Sequence, residues 1–226
     1  MNSQRIVLLG DSLGMPTGSE EIEYEDTYPY LLKIDLKHFE IISRHRRTND
    51  TSKQLSSQRI FDDIEMLKPD VLVVHLGIVD CAPRVFSRFQ NAIFSMLPVI
   101  VVRNILRIIS HFRYNITKLN NKTYVKKDKF KINIEKFIDI SNEMGMQLLF
   151  IEILMTSQKN DNRSYNFKNN IIEYNKIIEA ASSSGNVGLV KYDTKDFLLK
   201  DGIHINKEGN KFLAHKISEK IANLVK

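Results

Sequence analysis

Three short stretches hold side chains whose types and spacing could do chemistry together. Gly10-Asp11-Ser12-Leu13-Gly14 places a hydroxyl at a tight strand-to-helix turn, where backbone N–H groups can point at an incoming oxyanion. Its two glycines permit the turn and a close approach by substrate. Asp201-Gly202-Ile203-His204 puts a carboxylate and an imidazole in one loop. There the carboxylate fixes the ring's tautomer and stabilises imidazolium, leaving the other nitrogen to take a serine proton. The third stretch runs from His75 through Gly77, Asp80 and Cys81 to Arg84. Gly77 allows backbone near a ligand, and Asp80 and Arg84 sit where polar groups could orient one. Each stretch alone has a plainer reading as a capped turn, an Asp-Gly turn or a strand end with a surface ion pair. Together they supply nucleophile, base and orienting acid, the set that acyl transfer through a covalent intermediate requires.

Such a set works only if the chain brings its two ends together. Short apolar runs at Arg5–Leu9, Phe39–Ile42, Val71–Leu76, Gln147–Leu154 and Gly188–Tyr192 read as buried strands. Between them, helical spacing predicts helices over Thr27–Lys37 (Tyr30, Leu31 and Ile34 inward), Ser52–Leu67, Val99–Tyr114 and Phe167–Ala181. The last helix is expected over Asn206–Val225, with Phe212, Leu213, Ile217, Ile221 and Leu224 inward. Alternating strands and helices call for right-handed crossovers and a parallel sheet covered on both faces. The expectation is a single α/β domain over residues 1–226, a three-layer α/β/α sandwich on a five-stranded parallel sheet. A long helical insertion, about residues 82–145, separates the third and fourth strands. In an open parallel sheet, ligands bind outside the carboxyl ends of the strands. All three stretches follow strands or precede the last helix, so they should converge on that rim.

Composition narrows the classes. At 226 residues, 42% hydrophobic and 27% charged, the chain is ordinary globular material, which excludes collagen-like or wholly disordered roles. One cysteine, Cys81, excludes an intrachain disulfide and argues against a cysteine-rich zinc site; no metal or cofactor is expected. The longest apolar run, Ala92–Val102, is interrupted by Ser95 and Pro98 and is too short to span a bilayer. With no secretion-signal pattern at Ile6–Gly10, a cytoplasmic location is the default expectation. The net charge is +6, yet Arg84–Lys136 holds twelve Lys or Arg against Asp128 and Glu135, while Glu20, Glu21, Glu23, Glu25 and Asp26 form an acidic patch. No nucleic-acid-binding signature accompanies the basic stretch, so nucleic acid is not an expected partner. An anionic substrate or a solvated basic face is favoured. Membrane contact through the basic segment 99–114 is possible but not favoured, because core packing with a solvated arginine face explains its apolar residues more simply. Asp62 and Asp63 read as a solvent-facing helical pair. His45, His75, His111 and His215 read as structural or surface residues. No feature specifies an oligomer.

The motifs resemble those of the SGNH/GDSL hydrolases. GDSL at Gly10–Leu13 and DGIH at Asp201–His204 occur in that family's order, and the strand–helix pattern covers nearly the whole chain. The resemblance implies a flavodoxin-like sandwich and a metal-free serine-esterase mechanism, with Ser12 as nucleophile, His204 as general base, Asp201 as its partner and the Ser12 N–H on the oxyanion. Two departures stand out. The family's Gly-x-Asn-Asp block is here Gly77-Ile78-Val79-Asp80, so valine replaces a side chain that donates to the oxyanion. Its second-block glycine is also absent, and Asn49 is the nearest stand-in. Arg44, Arg46, Arg47 and Arg84 fall in the same two loops, so positive charge is expected to replace the lost amide, on the oxyanion or on an anionic substrate. The string GIVDCAPR also resembles SGNH-type proteins encoded among bacterial surface-polysaccharide functions, which implies a bacterial source and a carbohydrate ester such as O-acetyl. The expected function is a serine esterase or O-acyltransferase on a glycan or small-molecule ester. A lipid-directed lysophospholipase or thioesterase, and a degenerate domain that only binds glycan or protein, are the alternatives.

Overall fold

A computed structural model describes residues 4–18, 22–94, 96–183, 187–192 and 197–224. Five strands, β1 (Arg5–Gly10), β2 (Glu40–His45), β3 (Val71–His75), β4 (Gln147–Ile151) and β5 (Val187–Val190), pair in parallel in the order 2-1-3-4-5. β3 is buried at every position and β1 at all but its first. Strands covered on both faces read as unbroken apolar runs, which is why these two are so conspicuous. β2, at the sheet edge, buries only Ile41 and reads EIISRH.

The helices are α1 (Tyr28–Asp35), α2 (Thr51–Gln54), α3 (Ser57–Ile60), α4 (Ile78–Cys81), α5 (Arg88–Phe94), α6 (Val99–Asn120), α7 (Lys127–Met144), α8 (Gln158–Arg163), α9 (Phe167–Ala181) and α10 (Lys207–Leu224). They cover both faces of the sheet, α1 packing on α10 and α7 on α9. This is the three-layer sandwich expected, with α5, α6 and α7 between β3 and β4. The sheet order places a topological switch between β1 and β3, where a crevice opens at the carboxyl ends of adjacent strands.

Three local expectations are corrected. In α1 the buried residues are Tyr28, Pro29 and Leu32, while Ile34 is exposed. The single helix expected over Ser52–Leu67 is instead α2, α3 and a π-turn at Phe61–Glu65. A π-turn shifts the facing of the side chains it carries, and here Asp63 lies buried rather than in solvent. Finally, α6 is not a core helix. Only Thr117 of its 22 residues is buried, and Val101, Ile108, Phe112 and Leu119, which share one face, are all exposed. Among the described residues no helix is long and apolar enough to cross a membrane. Glu20 and Glu21 of the acidic patch, and Val225 of the last helix, lie outside the described residues.

Candidate active site

Ser12 opens a short 3-10 turn, Ser12–Gly14, directly off the end of β1. Asp11 caps that turn, its Oδ1 accepting from the Leu13 N–H at 2.9 Å. Asp11 is fully buried and its Oδ2 has no hydrogen-bond partner among the described residues. Burial pushes its carboxyl up to about 7, against the Leu13 hydrogen bond.

The turn's two glycines answer to a different neighbour from the one expected. A Cβ on Gly10 or Gly14 would sit 2.2 or 2.3 Å from the ring of His45. The close approach in the structure is by this imidazole, at the end of the neighbouring strand. His45 stands in a half-buried chain of polar groups: its Nδ1 is 2.8 Å from Ser43 Oγ and its Nε2 2.5 Å from Tyr28 Oη. Tyr28 Oη lies 3.0 Å from His75 Nδ1 in turn. Burial holds both imidazoles neutral, each pushed down to about 3. The nucleophile turn thus rests on a packed, uncharged pillar.

The structure brings the two ends of the chain together at this rim. His204 Nε2 is 3.0 Å from Ser12 Oγ, and His204 Nδ1 is 2.5 Å from Asp201 Oδ2. Asp201 Oδ1 also accepts from the backbone N–H groups of Ile203 and His204, an Asx-type turn that closes the loop on itself. Burial raises the Asp201 carboxyl, but hydrogen bonds from the His204 ring and from those two N–H groups outweigh it and hold it below the ordinary range. From α8, Asn160 donates to the carbonyls of Asp201 and Gly202, anchoring the loop.

The other candidates are engaged elsewhere. Asn49 is buried, its amide nitrogen donating to the Gly10 carbonyl and Gln54 Oε1, while its oxygen accepts from Arg59. Both amide hydrogens are committed, so Asn49 braces the loop after β2 and has no side-chain hydrogen left for an oxyanion. The left-handed residue there is Thr48, at φ 56°, rather than Asn49. Gly77, at φ 132°, starts α4 where a Cβ would strike Ile153. Asp80 is buried and accepts from the N–H and hydroxyl of Thr51, tying the third loop to the second. Burial raises its carboxyl to about 7. Val79 is itself buried beside it.

For the oxyanion, the expected exchange of amide for charge is corrected as well. Arg46 makes a bidentate pair with Asp63 at 2.6 and 2.9 Å, Arg44 lies 3.6 Å from the same carboxylate, and Arg47 reaches the Pro16 carbonyl. Arg84 donates to the Val79 carbonyl, stacks 4.1 Å from the Tyr124 ring centre and lines a cavity that includes none of Ser12, Asp201 or His204. Among the described residues, none of these four guanidinium groups bonds to the serine turn. Asp63 escaped sequence reading because its pairing with Arg46 depends on the π-turn. The His45 pillar escaped because Tyr28, His45 and His75 meet only through sheet order; glycines four apart around the serine were its sole local sign. Among the described residues no three His, Cys, Asp or Glu side chains gather to hold a metal ion.

No family model matches the chain, and no curated protein matches it in sequence. Solved structures do share its fold. A lipase/acylhydrolase from Enterococcus faecalis is 17% identical with a TM-score of 0.67, over 96% of this chain and 95% of that one. A catalytic mutant of an acetylxylan esterase from Geobacillus stearothermophilus is 13% identical with a TM-score of 0.66, over 96% and 94%. A second acetyl xylan esterase is 19% identical with a TM-score of 0.63, over 95% and 98%. The likeness is one of fold, end to end.

Proposed function

We propose that this chain is a serine esterase of the SGNH/GDSL type. The observation that carries the reading is the unbroken relay from Ser12 Oγ through His204 to Asp201, at 3.0 and 2.5 Å. Ser12 Oγ bonds to the acyl carbon as its proton passes to His204 Nε2, and the carbonyl π pair moves onto oxygen. Collapse of that intermediate breaks the bond to the leaving alcohol, whose oxygen takes the proton from His204. Water or an acceptor hydroxyl then repeats the cycle, releasing the acyl group and restoring Ser12. Asp201 holds the ring's tautomer and stabilises imidazolium; the Ser12 N–H faces the developing oxyanion. With valine at position 79 the hole lacks one side-chain donor, which typically costs about 2.7–4 kcal/mol of transition-state stabilisation. A slow esterase is the expected phenotype.

For substrate, we favour a small acyl ester, O-acetyl on a carbohydrate or glycan precursor, with hydrolysis and transfer to another hydroxyl sharing one acyl-enzyme. Support comes from the GIVDCAPR resemblance and from the acetylxylan esterases among the proteins that share the fold. p-Nitrophenyl acetate should give a burst of nitrophenol that Ser12→Ala abolishes. Accumulation of acetylated sugar in place of acetate selects transfer. A burst that survives Ser12→Ala removes the reading. One observation favours a second reading, a lipid-directed hydrolase: the apolar side chains of α5 and α6 are exposed and not packed in the core. Failure of the protein to sediment with anionic vesicles at low salt eliminates it.

A further inference from the structure

Beyond the serine site, Arg84, Arg113 and Arg163 converge on one cavity of about 330 Å³. They come from three separate segments: the loop after α4, the helix α6 and the end of α8. Bringing three guanidinium groups together is unfavourable unless a carboxylate or a ligand compensates. No carboxylate does so at contact distance among the described residues, although the more distant charges of Asp50 and Asp80 favour the cationic form of Arg84. The cavity lining contains no Asp or Glu, and none of the three arginines takes part in an ion pair among the described residues. The chain between Asp80 and Asp128 holds nine Lys or Arg and no acidic residue at all.

Two of the three guanidinium groups are fixed in place. Arg113 donates from Nε to Ser164 Oγ and from Nη2 to the Pro83 carbonyl. Arg84 is braced by the Val79 carbonyl and the Tyr124 ring, and its Nε is buried with no hydrogen-bond partner among the described residues. Burial, then the charges of Arg163 and Arg84, hold the Arg113 guanidinium below its ordinary value. A rigid fork of donors is the arrangement that recognises phosphate or carboxylate. The rest of the wall is apolar, with Phe86, Leu106 and Ile109. Phe86 and Leu106 also line an adjoining groove of about 350 Å³ that continues past Phe94, Leu97 and Val102. A basic pocket opening into an apolar groove matches a ligand with a charged head and a hydrocarbon tail.

We propose that this cavity and groove bind an anionic amphiphile, its phosphate or carboxylate head on Arg84, Arg113 and Arg163 and its chain along Phe86, Phe94 and Leu106. The cavity lining includes none of Ser12, Asp201 or His204, and the proposal does not depend on which ester Ser12 cleaves. Calorimetric titration of the full chain with decyl phosphate, below its self-association limit, should show saturable binding of one molecule per chain. Arg113→Gln and Arg163→Gln should each weaken it about tenfold or more, as should Leu106→Asp. Arg163 makes no structural hydrogen bond among the described residues, so its variant reports on binding even if Arg113→Gln perturbs the fold. Ser12→Ala should bind as the wild type does, which separates this site from the esterase reading. Inorganic phosphate should bind far more weakly, and decyltrimethylammonium not at all. Sedimentation with phosphatidylglycerol vesicles that Arg163→Gln abolishes assigns the amphiphile to a bilayer; decyl phosphate binding without sedimentation assigns it to solution. Equal binding of the cationic and anionic amphiphiles, decyl phosphate binding unchanged in Arg163→Gln, or no binding overturns the proposal.

Discussion

Val79 is where single-residue chemistry bears hardest on rate. Valine offers no hydrogen-bond donor, and nothing among the neighbouring arginines bonds to the serine turn in its place. Val79→Asn should therefore raise kcat on p-nitrophenyl acetate roughly ten- to a hundredfold with little change in KM, since the added donor acts mainly on developing charge. Unchanged steady-state turnover would show that another group already fills that role. Gly10 gives a test of the pillar below the serine. Gly10→Ala drives a methyl into the His45 ring and should cost about 1–3 kcal/mol in urea unfolding. In a His45→Ala background the same change should cost much less, a coupling of about 1 kcal/mol or more. Additive effects would mean the ring is not what Gly10 accommodates. At this scale Ser12, Asp201 and His204 were legible, because their spacing and order carry chemical meaning by themselves. The arginines were misjudged: a guanidinium in a loop says nothing of whether it points at substrate or at a buried aspartate.

Among the elements, the segment after β2 departs furthest from its pattern, and Asp63 shows why. Apolar residues at helical spacing from Leu55 to Leu67 imply one continuous helix, but the chain turns extended at Ser56, and α3 then widens into the π-turn at Phe61–Glu65, which delivers Asp63 to Arg46 and Gln54. Burial raises the Asp63 carboxyl, yet the hydrogen bonds of Arg46 and Gln54 and the charges of Arg46 and Arg44 hold it below the usual range. Because Arg46 stays about a third exposed, removing the carboxylate leaves a partly solvated cation. Asp63→Ala should then cost roughly 1–3 kcal/mol, below the figure for a fully buried pair. Asp62→Ala, one residue away and exposed, should fall within about 0.5 kcal/mol of wild type in the same urea titration. Equal effects at the two positions would contradict the pairing. The strands were readable because burial on both faces leaves an unbroken apolar run. In α6 the same apolar content misleads, since periodicity reports a hydrophobic face but not whether the protein covers it.

For the molecule as a whole, four titratable groups near the serine turn, three of them buried and His45 half-buried, set opposing pH dependences. His45 and His75 are pushed down to about 3, so between pH 6.5 and 3 the unfolded chain takes up protons that the folded one refuses, and stability falls as pH falls. Asp11 and Asp80 are pushed up to about 7, so between pH 3.8 and 7 the folded chain keeps protons that the unfolded one releases, and stability falls as pH rises. Over roughly pH 4–6.5 the two pairs nearly cancel, and these groups alone predict a plateau. Asp11→Asn keeps an acceptor for the Leu13 N–H but removes one titration. Its stability relative to wild type should climb by about 1.4 kcal/mol per pH unit from pH 4 to 7, measured by urea unfolding. A difference that stays constant with pH would mean Asp11 ionises normally. The architecture was readable as a whole since alternating strands and helices admit few topologies, whereas this balance arises only once sheet order stacks the histidines beneath the turn. The central claim is that His204 activates Ser12, and the most direct measurement is labelling with a fluorophosphonate probe followed by peptide mapping. One adduct per chain on Ser12, absent in Ser12→Ala and slowed at least a hundredfold in His204→Ala, is the predicted result. An unlabelled wild-type protein, or an adduct at another residue, would contradict it.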